Sequence, residues 1–188
     1  MFDVTAFPAK VQKLLSPERE MPLDRGTPNK AARAALQALL ETDVVDGPIA
    51  DADMARACLS ALWLYHDFLD ESHALSQEIH TTTGSLWHGV MHRREGDYDN
   101  AKYWFRRVGS HPVFETLQAE ARATLPAEAP AELRKFVDRG TWDPFRFVDL
   151  CESACDGRDE WAAACRCLQA AEFRVAYEYS FESARRRT

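Results

Sequence analysis

The sequence lacks the long apolar runs that would place it in a membrane. Its longest apolar stretch, at residues 61–65, is far shorter than the roughly 20 residues that a membrane-spanning helix needs. Residues 1–15 have no charged start followed by an apolar run, and so do not resemble a secretory signal. We therefore expect a protein without membrane partners.

Positive charge is also in short supply. The 188 residues include 30 Asp and Glu against 23 Lys and Arg, which gives a formal net charge of −7. A protein that binds nucleic acid needs a basic surface to displace counterions from the phosphates. We therefore expect no nucleic-acid partner.

The cysteines form neither a disulfide framework nor a zinc motif. An odd number of them without a secretory signal indicates free thiols in a reducing compartment, and we expect a cytoplasmic location. The spacing within each close pair does not match that of zinc ligands. We interpret all of them as small buried hydrophobic side chains: Cys58, Cys151, Cys155, Cys165 and Cys167.

Familiar catalytic motifs are absent as well. There is no Gly-rich phosphate loop, and Ser72 and Ser76, although close to His73, lie in a predicted helix and not in a nucleophile elbow. These patterns therefore identify no particular catalysed reaction.

Helix signals, by contrast, are plentiful, and strand patterns are scarce. Helix caps such as Asp51 and Asp97, and the Asp143-Pro144 pair, precede segments with an apolar face. We predict an all-α fold, a single-domain irregular bundle of about eight helices over residues 1–188. The predicted helices span residues 28–40, 52–79, 85–95, 98–108, 113–125, 133–138, 144–155 and 159–184.

The stretch from Leu86 to Val108 contains a Gly-Asp-Tyr turn, Gly96-Asp97-Tyr98, between two helical patterns. Gly89 precedes the turn, and Ala101 and Phe105 follow it. In these residues the stretch, about 82–112 with its flanks, resembles one degenerate tetratricopeptide repeat. The resemblance implies an antiparallel helix pair packed closely at a small residue.

Two positions depart from that repeat, because His88 and His92 stand where a leucine and an aromatic residue are usual. No second copy follows at the repeat's period, so the resemblance implies a variant helical domain and not a regular array. The stretch is also similar to an uncharacterised family of bacterial and fungal proteins, and this likeness implies no function.

All six histidines lie between positions 66 and 111, which fold formation alone does not require. One predicted helical face carries a polar stripe, and the next predicted helix carries a second one. The first stripe consists of His66, Asp70, His73 and Gln77. The second consists of His88, His92 and Glu95.

If the two helices pair in antiparallel fashion about the turn at 81–84, the stripes meet in matched layers. Gln77 would then lie level with His88, His73 with His92, and Asp70 with Glu95. Imidazole and carboxylate groups are ligands for divalent metals such as Zn, Fe or Ni, so we predict a divalent metal as a candidate cofactor. The candidate ligands are Asp70, His73, His88, His92 and Glu95. The same stripes could instead face solvent or form a hydrogen-bonded network between the helices.

Basic residues are concentrated beside the histidines in this otherwise acidic sequence. Arg93, Lys102 and Arg106 are predicted to line a cleft with the imidazoles, where a carboxylate, a phosphate or an acidic peptide could bind. The alternative is that they pair with neighbouring acidic residues at the surface.

Three functional hypotheses follow from these patterns. The first is a helical binding domain whose His, Arg and carboxylate cleft holds a small anionic ligand or an acidic peptide. The second is a metal-dependent or acid–base enzyme that uses the paired stripes. The third is a structural or adaptor domain that forms a homodimer, or docks a partner, through an exposed face of the helix at 113–125 or of the C-terminal helix.

Overall fold

The computed structural model describes residues 3–16 and 18–185, and in these ranges the regular secondary structure is helical, with no strand. Two short 3₁₀ turns, Val4–Ala6 and Glu41–Asp43, accompany ten α-helices. The all-α prediction is confirmed, and about eight helices is close to the observed number. The helices are α1 Ala9–Leu15, α2 Arg33–Gln37, α3 Ala52–Tyr65, α4 Leu69–Ser76, α5 Thr82–Glu95, α6 Tyr98–Val108, α7 Val113–Thr124, α8 Ala131–Val137, α9 Pro144–Cys155 and α10 Asp159–Ala184.

The long C-terminal helix α10 lies at the centre of the fold. It packs against α3, α7, α8 and α9, and apolar side chains on several of its sides are buried. Its neighbours contribute to one connected hydrophobic core that extends from Phe7 to Ala184. A helix that is apolar around much of its circumference belongs in such a position.

The predicted long helix over 52–79 is wrong, because the chain breaks between α3 and α4. Asp67 adopts a left-handed backbone conformation with φ of 61°, which a continuous helix does not permit. Its carboxylate receives the guanidinium groups of Arg19 at 2.7 Å and Arg94 at 2.5 Å. These ion pairs to the buried Asp67 stabilise the break. The break separates His66, at the end of α3, from the rest of its predicted stripe.

The predicted helix over 28–40 is much shorter in the structure. Only Arg33–Gln37 is α-helical, and Leu40, predicted on the apolar face, is 66% exposed. The alanines on this segment form good helix but bury little surface, so tertiary packing does not extend the helix.

The helices α4, α5 and α6 come close together at two glycines. A Cβ atom on Gly84 would lie 2.1 Å from the carbonyl oxygen of Ile79, and one on Gly89 would lie 3.2 Å from the ring of Phe105. Thr81 caps the start of α5 through its side chain, and Gly96 ends α5 in the left-handed conformation. Small residues thus let α5, which carries His88 and His92, pack closely on α6 and on the segment that follows α4.

None of the helices in the described part of the chain combines the length and the apolar character that crossing a membrane requires.

Candidate metal centre

The helices α4 and α5 run antiparallel and bring two polar faces together. The hydroxyl of Ser76 lies 2.8 Å from Nδ1 of His88, and the rings of His73 and His92 lie 5.3 Å apart between centroids. One turn further along, the guanidinium of Arg25 spans both helices. It donates to Asp70 at 2.5 Å and to Glu95 at 2.7 Å.

Three imidazoles meet at this interface, from His73 on α4 and His88 and His92 on α5. Each offers one ring nitrogen, and the three nitrogens all lie within 4.8 Å of one another. Around a tetrahedral ion with Zn–N bonds of about 2.0 Å, ligand nitrogens lie roughly 3.3 Å apart. Small side-chain rotations therefore suffice to place all three around one ion.

The hydrogen bonds of His88 leave its Nε2 atom available as a ligand. The Ser76 hydroxyl donates to the carbonyl oxygen of His73 at 3.3 Å, so its oxygen accepts from the Nδ1–H group of His88. Burial, and to a smaller extent the nearby imidazoles of His92 and His73, lower the pKa of His88 to about 3. His88 is therefore neutral near pH 7, which is the form that binds metals.

The second buried imidazole, His92, has a carboxylate behind it. Its Nδ1 atom lies 3.2 Å from Oε2 of Glu95, which fixes the ring with Nε2 turned away. The side-chain amide of Asn100 lies 3.1 Å from that Nε2. Burial lowers the pKa of His92 against the opposing effect of Glu95. A carboxylate that orients a histidine in this way is the usual outer partner of a metal-bound imidazole.

An aromatic side chain from α6 covers the cluster. The ring of Trp104 lies 4.1 Å from that of His88 between centroids, and the guanidinium of Arg107 lies 5.2 Å from the Trp104 ring. His73 is only partly buried, whereas His88 and His92 are almost completely buried. Solvent therefore reaches the cluster on the side of His73.

The basic residues predicted beside the histidines do not line the cluster. Arg93 follows His92 directly, so it points about 100° further around α5 and into the core. There it pairs with Glu172 and contacts Gln169. Lys102 pairs with Asp149 at 2.8 Å.

Arg106 is exposed on α6. The predicted grouping of these basic residues with the imidazoles in one cleft is therefore not what the structure shows, because their helical positions direct them elsewhere.

Three other predicted site residues also lie outside the cluster. His66 donates from Nε2 to the carbonyl of Leu14 at 3.0 Å, and its Nδ1 accepts from the amide of Asn29 at 3.1 Å. Asp70 is 82% exposed and held by Arg25, and Gln77 is exposed at the end of α4. Ser76, and not Gln77 as predicted, is the α4 residue that faces His88.

Sequence reasoning missed Ser76, Asn100 and Arg25 as partners of the cluster. Ser76 lies three residues after His73, a spacing that shares a helical face. Asn100 lies in the first turn of α6, which the Gly96-Asp97 turn folds back onto α5. Arg25 comes from a distant loop, and no sequence signal relates it to the histidines.

A well-formed cavity among the described residues lies elsewhere. It has a volume of about 570 Å³ and is formed by α1, α2 and the segment that joins them. Among the predicted site residues, only His66 lines it.

Comparison with known proteins found no relative of this chain. No protein-family model, curated protein or solved structure gives a significant match to this chain. The resemblance of α5 and α6 to a tetratricopeptide pair thus stays a prediction from the residues. The function has to be argued from the chemistry of the site.

Proposed function

We propose that the protein binds one divalent transition metal through His73, His88 and His92. The observation that carries this proposal is the convergence of three imidazole nitrogens within 4.8 Å on two adjacent helices. Imidazole suits Zn, Cu, Ni and Fe, and a set of three histidines is a known zinc donor set. Zn²⁺ is therefore the ion that we expect to fit best.

The surroundings of the imidazoles support metal binding over a solvated polar face. His88 and His92 each have Nδ1 engaged, by Ser76 and Glu95 respectively, which leaves Nε2 for the ion. A surface stripe has no need for such outer partners, and burying imidazoles is unfavourable without compensation. Among the described residues, the Asn100 amide contacts Nε2 of His92 at 3.1 Å, and it would have to turn away for the ion to bind.

The test is a zinc titration of the full chain without an affinity tag, followed by calorimetry and thermal melting. We expect one Zn²⁺ per chain and a rise in melting temperature, since a ligand at 100 times its Kd stabilises by about 2.7 kcal/mol. The His73→Ala variant should lose the site. The matched control is His80→Ala, because His80 is exposed and lies outside the cluster.

Failure of the wild type to bind Zn²⁺, Co²⁺ or Ni²⁺ would overturn the proposal. Equal affinity in the wild type and His73→Ala would do the same. Because His73 is only partly buried, its replacement should leave the fold intact, and the circular dichroism spectrum checks this.

A metal-dependent enzyme is the second candidate, favoured by the number of ligands. Three protein ligands leave a fourth position for water, and bound zinc lowers the pKa of that water to about 7. The partly open side at His73 gives a substrate access. The probe is p-nitrophenyl acetate, whose hydrolysis should require Zn²⁺ and disappear in His73→Ala; a rate equal to the metal-free rate would exclude this candidate for activated esters.

We keep the anion-binding hypothesis in a narrower form, with fewer cations near the histidines than the sequence predicted. Arg93 and Lys102 are engaged elsewhere, and Arg107, whose guanidinium lies over Trp104, is a cation beside the cluster. We propose that an anionic ligand would occupy the fourth metal position and contact Arg107. We also propose a cytoplasmic location, because the cysteines are free thiols and Cys155 is exposed.

A further inference from the structure

The cavity between α1 and α2 has a largely apolar lining that no part of the described chain fills. Its walls include the exposed alanines Ala31, Ala35 and Ala38, which are spaced by four and three residues and so share one side of the α2 segment. Leu14 and Leu39 form its deeper surface and are buried. At about 570 Å³, it lies within the range of cavities that hold small molecules.

The polar groups deep in this cavity already have partners. The Leu14 carbonyl accepts from His66, and the Nδ1 atom of His66 accepts from the Asn29 amide. Burial, together with the charge of Arg19, lowers the pKa of His66 to about 4, so the imidazole is neutral near pH 7. The deep part of the cavity therefore favours an apolar group of a ligand over a polar one.

The mouth of the cavity is cationic, in contrast to the net charge of −7 for the whole chain. Lys10, Lys13 and Arg19 line it, against a single acidic residue, Glu18. Lys10 pairs with Asp43, and Arg19 pairs with Asp67. Within the described residues Lys13 makes no ion pair, so its ammonium group is free to receive an anion.

We propose that this cavity binds a monocarboxylic acid with an unbranched apolar chain. The chain lies along the alanine side of α2, and the carboxylate contacts Lys13 at the mouth. An apolar lining with a few convergent cations is the combination that such an amphipathic anion requires. The site is separate from the histidine cluster in both residues and chemistry.

The test measures binding of decanoate to the full chain by calorimetry, with decyltrimethylammonium as the ligand of opposite charge. We expect decanoate to bind at one site and the cation to bind at least tenfold more weakly. Equal binding of the two ligands would show that the cationic mouth does not select the ligand, and would overturn the proposal.

Two pairs of variants locate the site. Ala35→Trp fills the cavity and should abolish decanoate binding, while Ala34→Trp, an exposed position on the same helix outside the cavity, should leave it unchanged. Lys13→Glu should weaken binding at least fivefold, whereas Lys135→Glu on the distant helix α8 should not. Decanoate affinity that is the same in Ala35→Trp as in the wild type would overturn the proposal.

Other occupants give different outcomes. If decanoate does not bind and the protein instead self-associates in a way that Ala35→Trp removes, the cavity is an interface between copies and the proposal is overturned. Binding of decanoate to His73→Ala with wild-type affinity is expected, and it separates this site from the metal centre.

Discussion

The Nδ1 atom of His92 lies 3.2 Å from Oε2 of Glu95, one turn along the same helix. This carboxylate also receives Arg25, so its position is fixed from both sides. It sets the imidazole ring with Nε2 directed away from Glu95, as a metal ligand requires.

Glu95→Gln should therefore lower Zn²⁺ affinity about 10- to 100-fold with little loss of stability, because the negative charge that orients and polarises His92 is removed. Competition titration against a chelator measures the change. The matched control is Glu71→Gln, since Glu71 and Glu95 are 31% and 30% exposed and each pairs with an arginine. A Glu95→Gln affinity within twofold of the wild type would contradict the assigned role.

Arg93 and Glu172 form an ion pair buried in the core, and Arg93 also stacks on the ring of Phe147 at 4.5 Å. Arg93→Leu should destabilise the protein by about 3–5 kcal/mol, because it leaves the Glu172 carboxylate buried without its partner. In urea unfolding, the double variant Arg93→Leu/Glu172→Leu should recover much of this loss. Loss of the half-exposed pair in Arg56→Leu should cost about 1 kcal/mol or less.

His111 predicts a pH dependence of stability. Its Nδ1 accepts the backbone N–H of Val113 at 3.3 Å, its Nε2 donates to Thr83, and burial lowers its pKa from 6.5 to about 4. The unfolded chain then binds the proton more readily, so stability is full above pH 6.5 and falls as the pH drops toward 4. The loss from this group is at most about 3 kcal/mol.

His111→Asn keeps an acceptor for Val113 but does not titrate, so its stability should vary less between pH 6.5 and 4. Urea unfolding at several pH values measures the slope. His80→Asn, at an exposed position, should keep the wild-type slope. An unchanged slope in His111→Asn would contradict the prediction.

Gly84 lets the start of α5 pack closely on Ile79, in the segment that joins α4 to α5. Gly84→Ala should destabilise the protein by about 1–3 kcal/mol, because the new Cβ atom would meet the Ile79 carbonyl at 2.1 Å and the backbone must move. The same movement should weaken Zn²⁺ binding, since His73 and His88 lie on the two displaced helices. Gly140→Ala, with nothing within 4 Å of the added atom, is the control for thermal melting and metal titration.

The sequence was sufficient to predict that two polar helix faces meet in antiparallel fashion, but not which residues belong to each face. Periodicity and caps placed α5 to α10 to within a few residues, because residues such as Gly96, Asp97 and Asp143 mark where helices end and begin. The pairing of His73 with His92 followed from the turn before Gly84. The break at Asp67 was not visible, because the two arginines that stabilise it, Arg19 and Arg94, come from distant segments.

The orientation of charged side chains also could not be predicted from the sequence. Arg93 and Arg94 look like part of a basic surface run, yet both are buried against acidic partners on other elements. Whether a run of arginines faces solvent or the core depends on where its counterions lie, and this is a tertiary property. The partnership of Arg25 with Asp70 and Glu95 has the same origin.

Every residue of α5 from Thr83 to Arg94 is buried, so this helix is enclosed by its neighbours on all sides. A helix held in this way cannot slide or rotate to suit an ion, and it presents His88 and His92 in one fixed orientation. Adjustment on binding then falls to α4, which is short and partly exposed. Ion selectivity should accordingly depend on how well an ion fits the fixed positions of His88 and His92, with His73 as the ligand that can move.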